Sequence, residues 1–227
     1  MICLEVEGLS LDVPGRKVMD GVELAVHAGE CVAVMGPSGS GKTSLLNCLC
    51  GITTPSSGAV RVGGTDLGCL RLSKRSAFRL RHVGMVFQFG ELLPELSALE
   101  NVALPLRLQG ISRTEAEAAA RRWLDRVDLA GRGEAHSDAL SGGEVQRIGI
   151  ARALAHAPLL VLADEPTGAL DEENGMLVAG LLVGAAKELG AAVVIATHDP
   201  LVAQQADRVL RLREGCLVPF DLLDARS

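Results

Sequence analysis

Four segments of the chain are apolar at successive positions, so both faces of a strand would be buried. They read ECVAVMG, HVGMVFQ, LLVLADE and AVVIATHD. Such runs are typical of strands in a parallel sheet that is covered on both sides. A different pattern occurs in GVELAVHAGE, where Val22, Leu24 and Val26 alternate with more polar residues. This period of two predicts a half-buried antiparallel strand, and therefore a small antiparallel sheet near the N-terminus.

Helical periodicity dominates between the second and third apolar runs. In ISRTEAEAAARRWLDRVDL, Ser112 and Glu115 have the spacing of a capping box. The apolar face of this predicted helix comprises Ala116, Ala119, Trp123 and Val127. A further helix is predicted in LSGGEVQRIGIARALAHAP, where Ser141 and Glu144 form a second capping box. We expect the helices from about 92 to 157 to form a helical subdomain inserted into one domain that spans residues 1–227.

Composition is consistent with a single domain and argues against one class of partner. The 227 residues suit one α/β domain, and the formal net charge of −6 with 2% aromatic residues argues against a nucleic-acid partner. Neither a membrane-spanning run nor a signal peptide is evident, so we expect the protein to stay in the cytoplasm. The cluster RLSKRSAFRLRH carries five cations. It is either a solvated helix face or a contact with an anionic membrane surface or an acidic partner.

A phosphate-binding loop follows the first apolar run. GPSGSGKT fits the pattern G-x-x-x-x-G-K-[ST], with a strand before it and a helical pattern after it, which indicates a P-loop NTPase. Its glycines allow backbone N–H groups to point at phosphate oxygens. We expect Lys42 to hold the β- and γ-phosphates and the Thr43 hydroxyl to ligate Mg²⁺. The predicted nucleotide-binding residues of this loop are Gly36, Pro37, Ser38, Gly39, Ser40, Gly41, Lys42, Thr43 and Ser44.

Two carboxylates end the third apolar run. Asp164 and Glu165 stand at the end of a predicted buried strand, where open α/β sheets place their ligands. Because neighbouring side chains on a strand point to opposite sides, Asp164 is predicted to face the Mg²⁺ and Glu165 the attacking water. The alternative is that the pair only caps a helix.

The helix that begins at Ser141 has two glycines in its first turn. Each glycine costs about 0.5 to 1 kcal/mol relative to alanine inside a helix, but it also leaves the first-turn N–H groups open to an anion. We therefore predict an anion site at Ser141, Gly142 and Gly143. A flexible loop before an ordinary amphipathic helix is the alternative.

The motifs GPSGSGKT, LSGGEVQR and LLVLADEP, in this order, resemble the ATP-binding cassette, and the resemblance covers nearly the whole chain. It implies a RecA-like core and a head-to-tail dimer. In that dimer, the helix tip of one copy, with Ser141 and Gly143 on the γ-phosphate, would complete the ATP site of the other copy. It also implies roles for three further residues. Gln88 would touch the Mg²⁺ and water region, His198 would contact the γ-phosphate, and Asp171 would lie in the loop that crosses the dimer interface.

One position departs from the family pattern. The family usually stacks adenine on an aromatic residue before the loop, whereas this chain has no Tyr and no Phe or Trp before Phe78. Val13 is our choice for that position. Since base stacking contributes about 1 to 3 kcal/mol, we expect weaker discrimination between bases than is usual for the family.

The segment FQFGELLPELSALENVALPL, together with DEPTGALD, looks most like the branch for lipoprotein release, macrolide efflux and cell division. The resemblance implies an ATP-hydrolysing subunit that works with a separate transmembrane permease, at the cytoplasmic side of the membrane. The segment from Gln88 to Pro105 would form the groove that receives the permease. One alternative is an ATP-driven mechanical regulator of a membrane partner without solute transport. A second is a soluble cassette protein acting on DNA or ribosomes.

Overall fold

The computed structural model describes residues 1–222. Within this part of the chain the strands are β1 (Ile2–Val13), β2 (Arg16–His27), β3 (Cys31–Met35), β4 (Ser57–Val62), β5 (Thr65–Asp66), β6 (Val83–Val86), β7 (Leu160–Asp164), β8 (Ala192–Thr197), β9 (Arg208–Arg213) and β10 (Cys216–Pro219). The helices are α1 (Lys42–Leu49), α2 (Leu72–His82), α3 (Ala98–Leu108), α4 (Arg113–Arg126), α5 (Gly142–Leu154), α6 (Glu172–Glu188) and α7 (Pro200–Ala203), with a 3₁₀ turn at Ser137–Ala139.

The central sheet has six strands in the order β10-β9-β3-β8-β7-β6. The four strands predicted from apolar runs are β3, β6, β7 and β8, and they pair in parallel as expected. Nearly all of their residues are buried, which is why their sequences are apolar on both faces. Two further strands were not predicted. β9 extends the parallel sheet and β10 pairs with it antiparallel at the edge.

A second sheet, in the order β2-β1-β4-β5, is antiparallel throughout. The alternation in β2 is confirmed, since Val22, Leu24 and Val26 are buried. These residues belong to the same core cluster as one face of β3 and the apolar side of α1. The antiparallel sheet therefore packs directly onto the part of the central sheet that leads into the phosphate loop.

Three helices, α3 to α5, lie between β6 and β7 and share one core cluster with the far face of the sheet. The capping box at the start of α5 is confirmed by reciprocal bonds between Ser141 and Glu144. Of the capping box predicted for α4, one of the two bonds is present and the other is not. Ser112 accepts from the Glu115 N–H, but the Glu115 carboxylate takes the Ser112 hydroxyl instead of its backbone N–H. On the same helix, Ala120 is buried where Ala119 was expected.

The basic cluster forms α2, which has no fully buried residue. Two of its cations bond back to the body of the protein. Arg75 donates to Thr54 Oγ1 at 2.8 Å and Arg79 to the Cys50 carbonyl at 3.5 Å. These bonds attach α2 to the core and leave its other cations to solvent. No helix in residues 1–222 is both long enough and apolar enough to cross a lipid bilayer.

Candidate nucleotide-binding site

The phosphate loop connects β3 to α1. Gly41 precedes the helix with a φ of 106°, a conformation that L side chains rarely adopt. A Cβ at Gly41 would also come 2.8 Å from Val18 Cγ1, so the loop requires glycine there for space as well as for conformation. At Gly39, with a φ of 76°, a Cβ would meet no atom within 4 Å. The loop therefore has no space for a side chain at Gly41, whereas a side chain at Gly39 would meet no neighbouring atom.

Lys42 is almost fully buried, with 6% of its surface exposed. Its Nζ donates to the Gly36 carbonyl at 2.7 Å and to the Pro37 carbonyl at 3.3 Å, and it lies 3.2 Å from Glu165 Oε1. A buried ammonium is stable only with such oxygen partners, because desolvation disfavours the charge. The arrangement holds a cation in place at the centre of the loop.

The two predicted carboxylates diverge at the end of β7. Asp164 Oδ2 accepts the Thr43 hydroxyl at 2.7 Å. Glu165 follows with a φ of 47°, in the left-handed region that non-glycine residues seldom occupy. This turn of the backbone directs Glu165 to Lys42 and His198 and not to Thr43. The structure thus places the two carboxylates on different partners.

His198 lies at the end of β8, beside Glu165. Its Nδ1 is 2.9 Å from Glu165 Oε2, and its backbone N–H donates to the same oxygen at 3.2 Å. Burial by itself raises the pKa of the Glu165 carboxyl, but the bonds from His198 and the charge of Lys42 outweigh it. The pKa of Glu165 is therefore below its ordinary value, and the group is a carboxylate at neutral pH.

Lys42, Asp164 and Glu165 line a cleft of about 600 Å³. His198 does not line it and contacts it through Glu165. The walls of the cleft are formed by Val13, Pro14, Arg16, Val18, Ser38, Gly39, Gly41, Lys42, Thr43, Ser44, Asp164 and Glu165. Six of the nine predicted loop residues are in this set, while Gly36, Pro37 and Ser40 are not. A buried lysine, a hydroxyl and a helix N-terminus around an open turn suit a phosphate chain.

Other predicted residues lie outside the cleft in this single chain. Gln88 follows β6 and packs against Gly168, where a Cβ would come 2.7 Å from its Nε2. Ser141, Gly142 and Gly143 form the tip of α5 and do not line the cleft. Asp171 caps α6, accepting the Asn174 N–H at 2.9 Å. Gln88 and Asp171 were assigned through the resemblance, whereas the anion site at Ser141 was also predicted from its helix start. None of these residues is among those that line the cleft in residues 1–222.

Three cleft residues were missed by the sequence analysis, namely Pro14, Arg16 and Val18. The sequence does contain a signal that could have located Arg16. Pro14 and Gly15 form a two-residue turn, and such a turn pairs the residues on either side of it. The structure pairs Val13 with Arg16 in this way. Having placed Val13 at the site, we could have placed Arg16 opposite it.

Comparison with known families identifies the class of protein. The family model for the ABC transporter matches residues 19–168, which is more than half of the chain. The chain therefore belongs to the ABC transporter family, as its ATP-binding and ATP-hydrolysing cassette.

Individual relatives and a solved structure are similar to this chain over most of its length. The lipoprotein-releasing system ATP-binding protein LolD of Chromohalobacter salexigens is 51% identical over 200 residues, which cover 88% of this chain and 84% of that protein. An uncharacterized ABC transporter ATP-binding protein of Mycobacterium tuberculosis is 45% identical, with coverage of 90% and 82%. Among solved structures, the dimeric ATP-binding cassette MJ0796, in a post-hydrolysis state bound to ADP and Pi, matches with a TM-score of 0.85 and 34% identity, covering 94% of this chain and 96% of that one.

Proposed function

We propose that two copies of this chain bind ATP between them and hydrolyse it to drive a separate membrane permease of the lipoprotein-release type. One observation carries the proposal. The buried cation Lys42 and the lowered-pKa carboxylate Glu165 lie 3.2 Å apart at the centre of the cleft. A γ-phosphate is anionic and would compete with Glu165 for Lys42. Its binding would free the carboxylate to accept a proton from the attacking water.

Magnesium fits a second pair of residues in the same cleft. The Thr43 hydroxyl and the Asp164 carboxylate meet at 2.7 Å, and both are oxygen ligands of the kind that Mg²⁺ prefers. Mg²⁺ there would neutralise charge on the β- and γ-phosphates. Gln88 lies further out, against Gly168, and we assign it to the outer part of this Mg²⁺ and water region.

The dimer supplies what the single chain lacks. Ser141, Gly142 and Gly143 form an open helix start whose N–H groups suit an anion, yet they do not line the cleft of their own chain. In a head-to-tail dimer they would reach the γ-phosphate held by the partner, with Asp171 in the crossing loop. The dimeric state of the MJ0796 cassette supports this arrangement.

A groove beside the predicted permease segment supports the coupling. It measures about 590 Å³ and is lined largely by apolar side chains, among them Ile52, Phe87, Leu93, Leu104 and Leu108. Helix α5 is bonded to one wall of the groove. Gln146 donates to the Phe87 carbonyl at 2.8 Å and Arg152 to the Gly90 carbonyl at 2.7 Å. Movement of the α5 tip on ATP would therefore be transmitted to the groove, where a permease would dock at the cytoplasmic side of the membrane.

Glu165→Gln tests the proposal. The amide keeps the size of the side chain but cannot accept a proton, so ATP hydrolysis should fall by about a hundredfold or more. ATP should still bind, and the unhydrolysed nucleotide should trap the dimer. Phosphate release, equilibrium dialysis with ATP and light scattering on a sizing column measure these three properties.

Glu173→Gln is the matched control, because Glu173 is an exposed glutamate in the first turn of α6, outside the cleft. It should hydrolyse ATP like the wild type. Hydrolysis by the Glu165→Gln variant within a few fold of the wild type would refute the role of Glu165. A monomeric variant in the presence of Mg²⁺ and ATP would refute the dimer.

A further inference from the structure

The cleft has two walls of different chemistry. One consists of the phosphate loop with Asp164 and Glu165, and the other is the tip of the β1–β2 hairpin, with Val13, Pro14, Arg16 and Val18. A triphosphate held by the loop leaves only the hairpin to receive the base. No aromatic residue lines the cleft in residues 1–222. The base therefore needs a different kind of support.

Arg16 is fixed at this wall from two directions. Its backbone pairs with Val13 across the hairpin, and its Nη2 donates to the Gly39 carbonyl at 2.9 Å. In a phosphate loop the N–H groups turn toward the anion, so a carbonyl of that loop points away from it. The guanidinium thus lies outside the ring of phosphate-binding amides, on the hairpin wall of the cleft.

The Arg16 side chain is also exposed. No carboxylate lies within 4.0 Å of it in the described part of the chain, whereas its neighbour Lys17 pairs with Asp20 at 3.0 Å. Beside Arg16, Val18 is buried and Val13 is 42% exposed. With Pro14, the wall therefore combines three small apolar side chains with one planar cation.

We propose that Arg16 is the platform on which the base of the nucleotide stacks, in place of an aromatic ring. This inference rests on the proposed ATP-binding function and adds a base-binding residue to it. A guanidinium is planar and weakly hydrated, and it stacks on π faces. Because adenine and guanine both present such a face, Arg16 contributes affinity for purine nucleotides with little discrimination between ATP and GTP.

The test compares binding of ATP, GTP and inorganic tripolyphosphate, which has the phosphates but no base. Arg16→Ala should weaken ATP and GTP binding by about tenfold or more and should leave tripolyphosphate binding within about twofold of the wild type. Arg16→Lys keeps the charge without the plane, so it should resemble Arg16→Ala. Val13→Tyr added to Arg16→Ala should restore ATP affinity, since the ring supplies a new stacking face.

Lys17→Ala is the matched control and should bind all three ligands like the wild type. Three results would overturn the role of Arg16: wild-type ATP affinity in Arg16→Ala or Arg16→Lys, an equal loss of tripolyphosphate binding, or no rescue by Val13→Tyr. Failure of the ATP-binding function itself would look different. The wild type would then bind neither ATP nor tripolyphosphate, and Lys42→Ala would change nothing.

Discussion

Glu165 is a single carboxylate with two partners from different elements, a helix and the end of a strand. Lys42 approaches Oε1 from the start of α1, and His198 approaches Oε2 from the end of β8. Both lower the pKa of a group that burial alone would raise. Since the pKa in the folded protein lies below that of the unfolded chain, these bonds stabilise the fold at neutral pH. That contribution is lost as the pH falls through the folded pKa.

His198→Ala should raise the pKa of Glu165. The substitution removes the Nδ1 donor while the surroundings that disfavour the charge remain. A pH titration followed by carbon NMR of labelled glutamate carboxyls measures the value directly, and Glu165→Gln assigns the signal. Glu30 is an internal control, because it accepts a bond from His27 elsewhere in the molecule. An unchanged or lower pKa for Glu165 in the variant would show that the His198 side chain does not lower the pKa of this carboxyl.

At the scale of elements, two helix starts with similar sequences differ in structure. In α3, the Ser97 hydroxyl accepts the Glu100 N–H at 3.3 Å, and the Glu100 carboxylate accepts the Ser97 N–H at 3.0 Å. In α4, the Ser112 hydroxyl makes the equivalent bond, but Glu115 does not return it. Ser97 is also buried and Ser112 exposed. The α3 start is therefore the better satisfied of the two.

Ser97→Ala should accordingly lower the free energy of unfolding by about 1 to 2 kcal/mol, and Ser112→Ala by about 0.5 kcal/mol. Urea denaturation of both variants, followed by circular dichroism, gives the comparison. Ser112→Ala is the natural control, since it removes the same hydroxyl from the same position of the neighbouring helix. An equal loss in both variants would show that the burial of Ser97 does not strengthen the bond of its hydroxyl to the Glu100 N–H.

Local patterns predicted most of these elements and failed where the outcome depends on neighbours. The runs that became β3, β6, β7 and β8 are apolar because both of their faces are covered. β9 was missed because its sequence, RVLRLR, has a charged residue at every second or third position. The half-formed box at Ser112 could not be foreseen, because one spacing permits either set of bonds.

In the candidate site, too, local patterns predicted some features, and others depend on neighbouring elements. The residues of the phosphate loop are contiguous, so a motif could locate them. The contacts of Glu165 with Lys42 and His198 depend on the strand order β3-β8-β7, which pairs Met35 with Thr197 and Asp164 with Ala196. No local pattern specifies that order. The sequence analysis named all three residues without predicting that Glu165 joins the other two.

At the scale of the whole molecule, the two proposed halves of the ATP site lie apart within one chain. The cleft lies at the ends of β3 and β7, while the open tip of α5 lies outside it. Two copies related by a two-fold axis would form two composite sites, each with a cleft from one copy and a tip from the other. This geometry makes a prediction about mixtures of inactive variants.

Lys42→Ala removes the buried cation, and Ser141→Arg blocks the helix tip, so each variant alone should hydrolyse ATP poorly. In a mixed dimer, the intact cleft of the Ser141→Arg copy faces the intact tip of the Lys42→Ala copy. Equal mixing should therefore restore about a quarter of wild-type activity, because half of the dimers are mixed and each has one intact site. Phosphate release after mixing measures this.

In the control, Lys42→Ala is mixed with a chain carrying both substitutions, which leaves no intact cleft and should restore nothing. If the first mixture were no more active than its two components measured separately, the two halves of the site would have to belong to one chain.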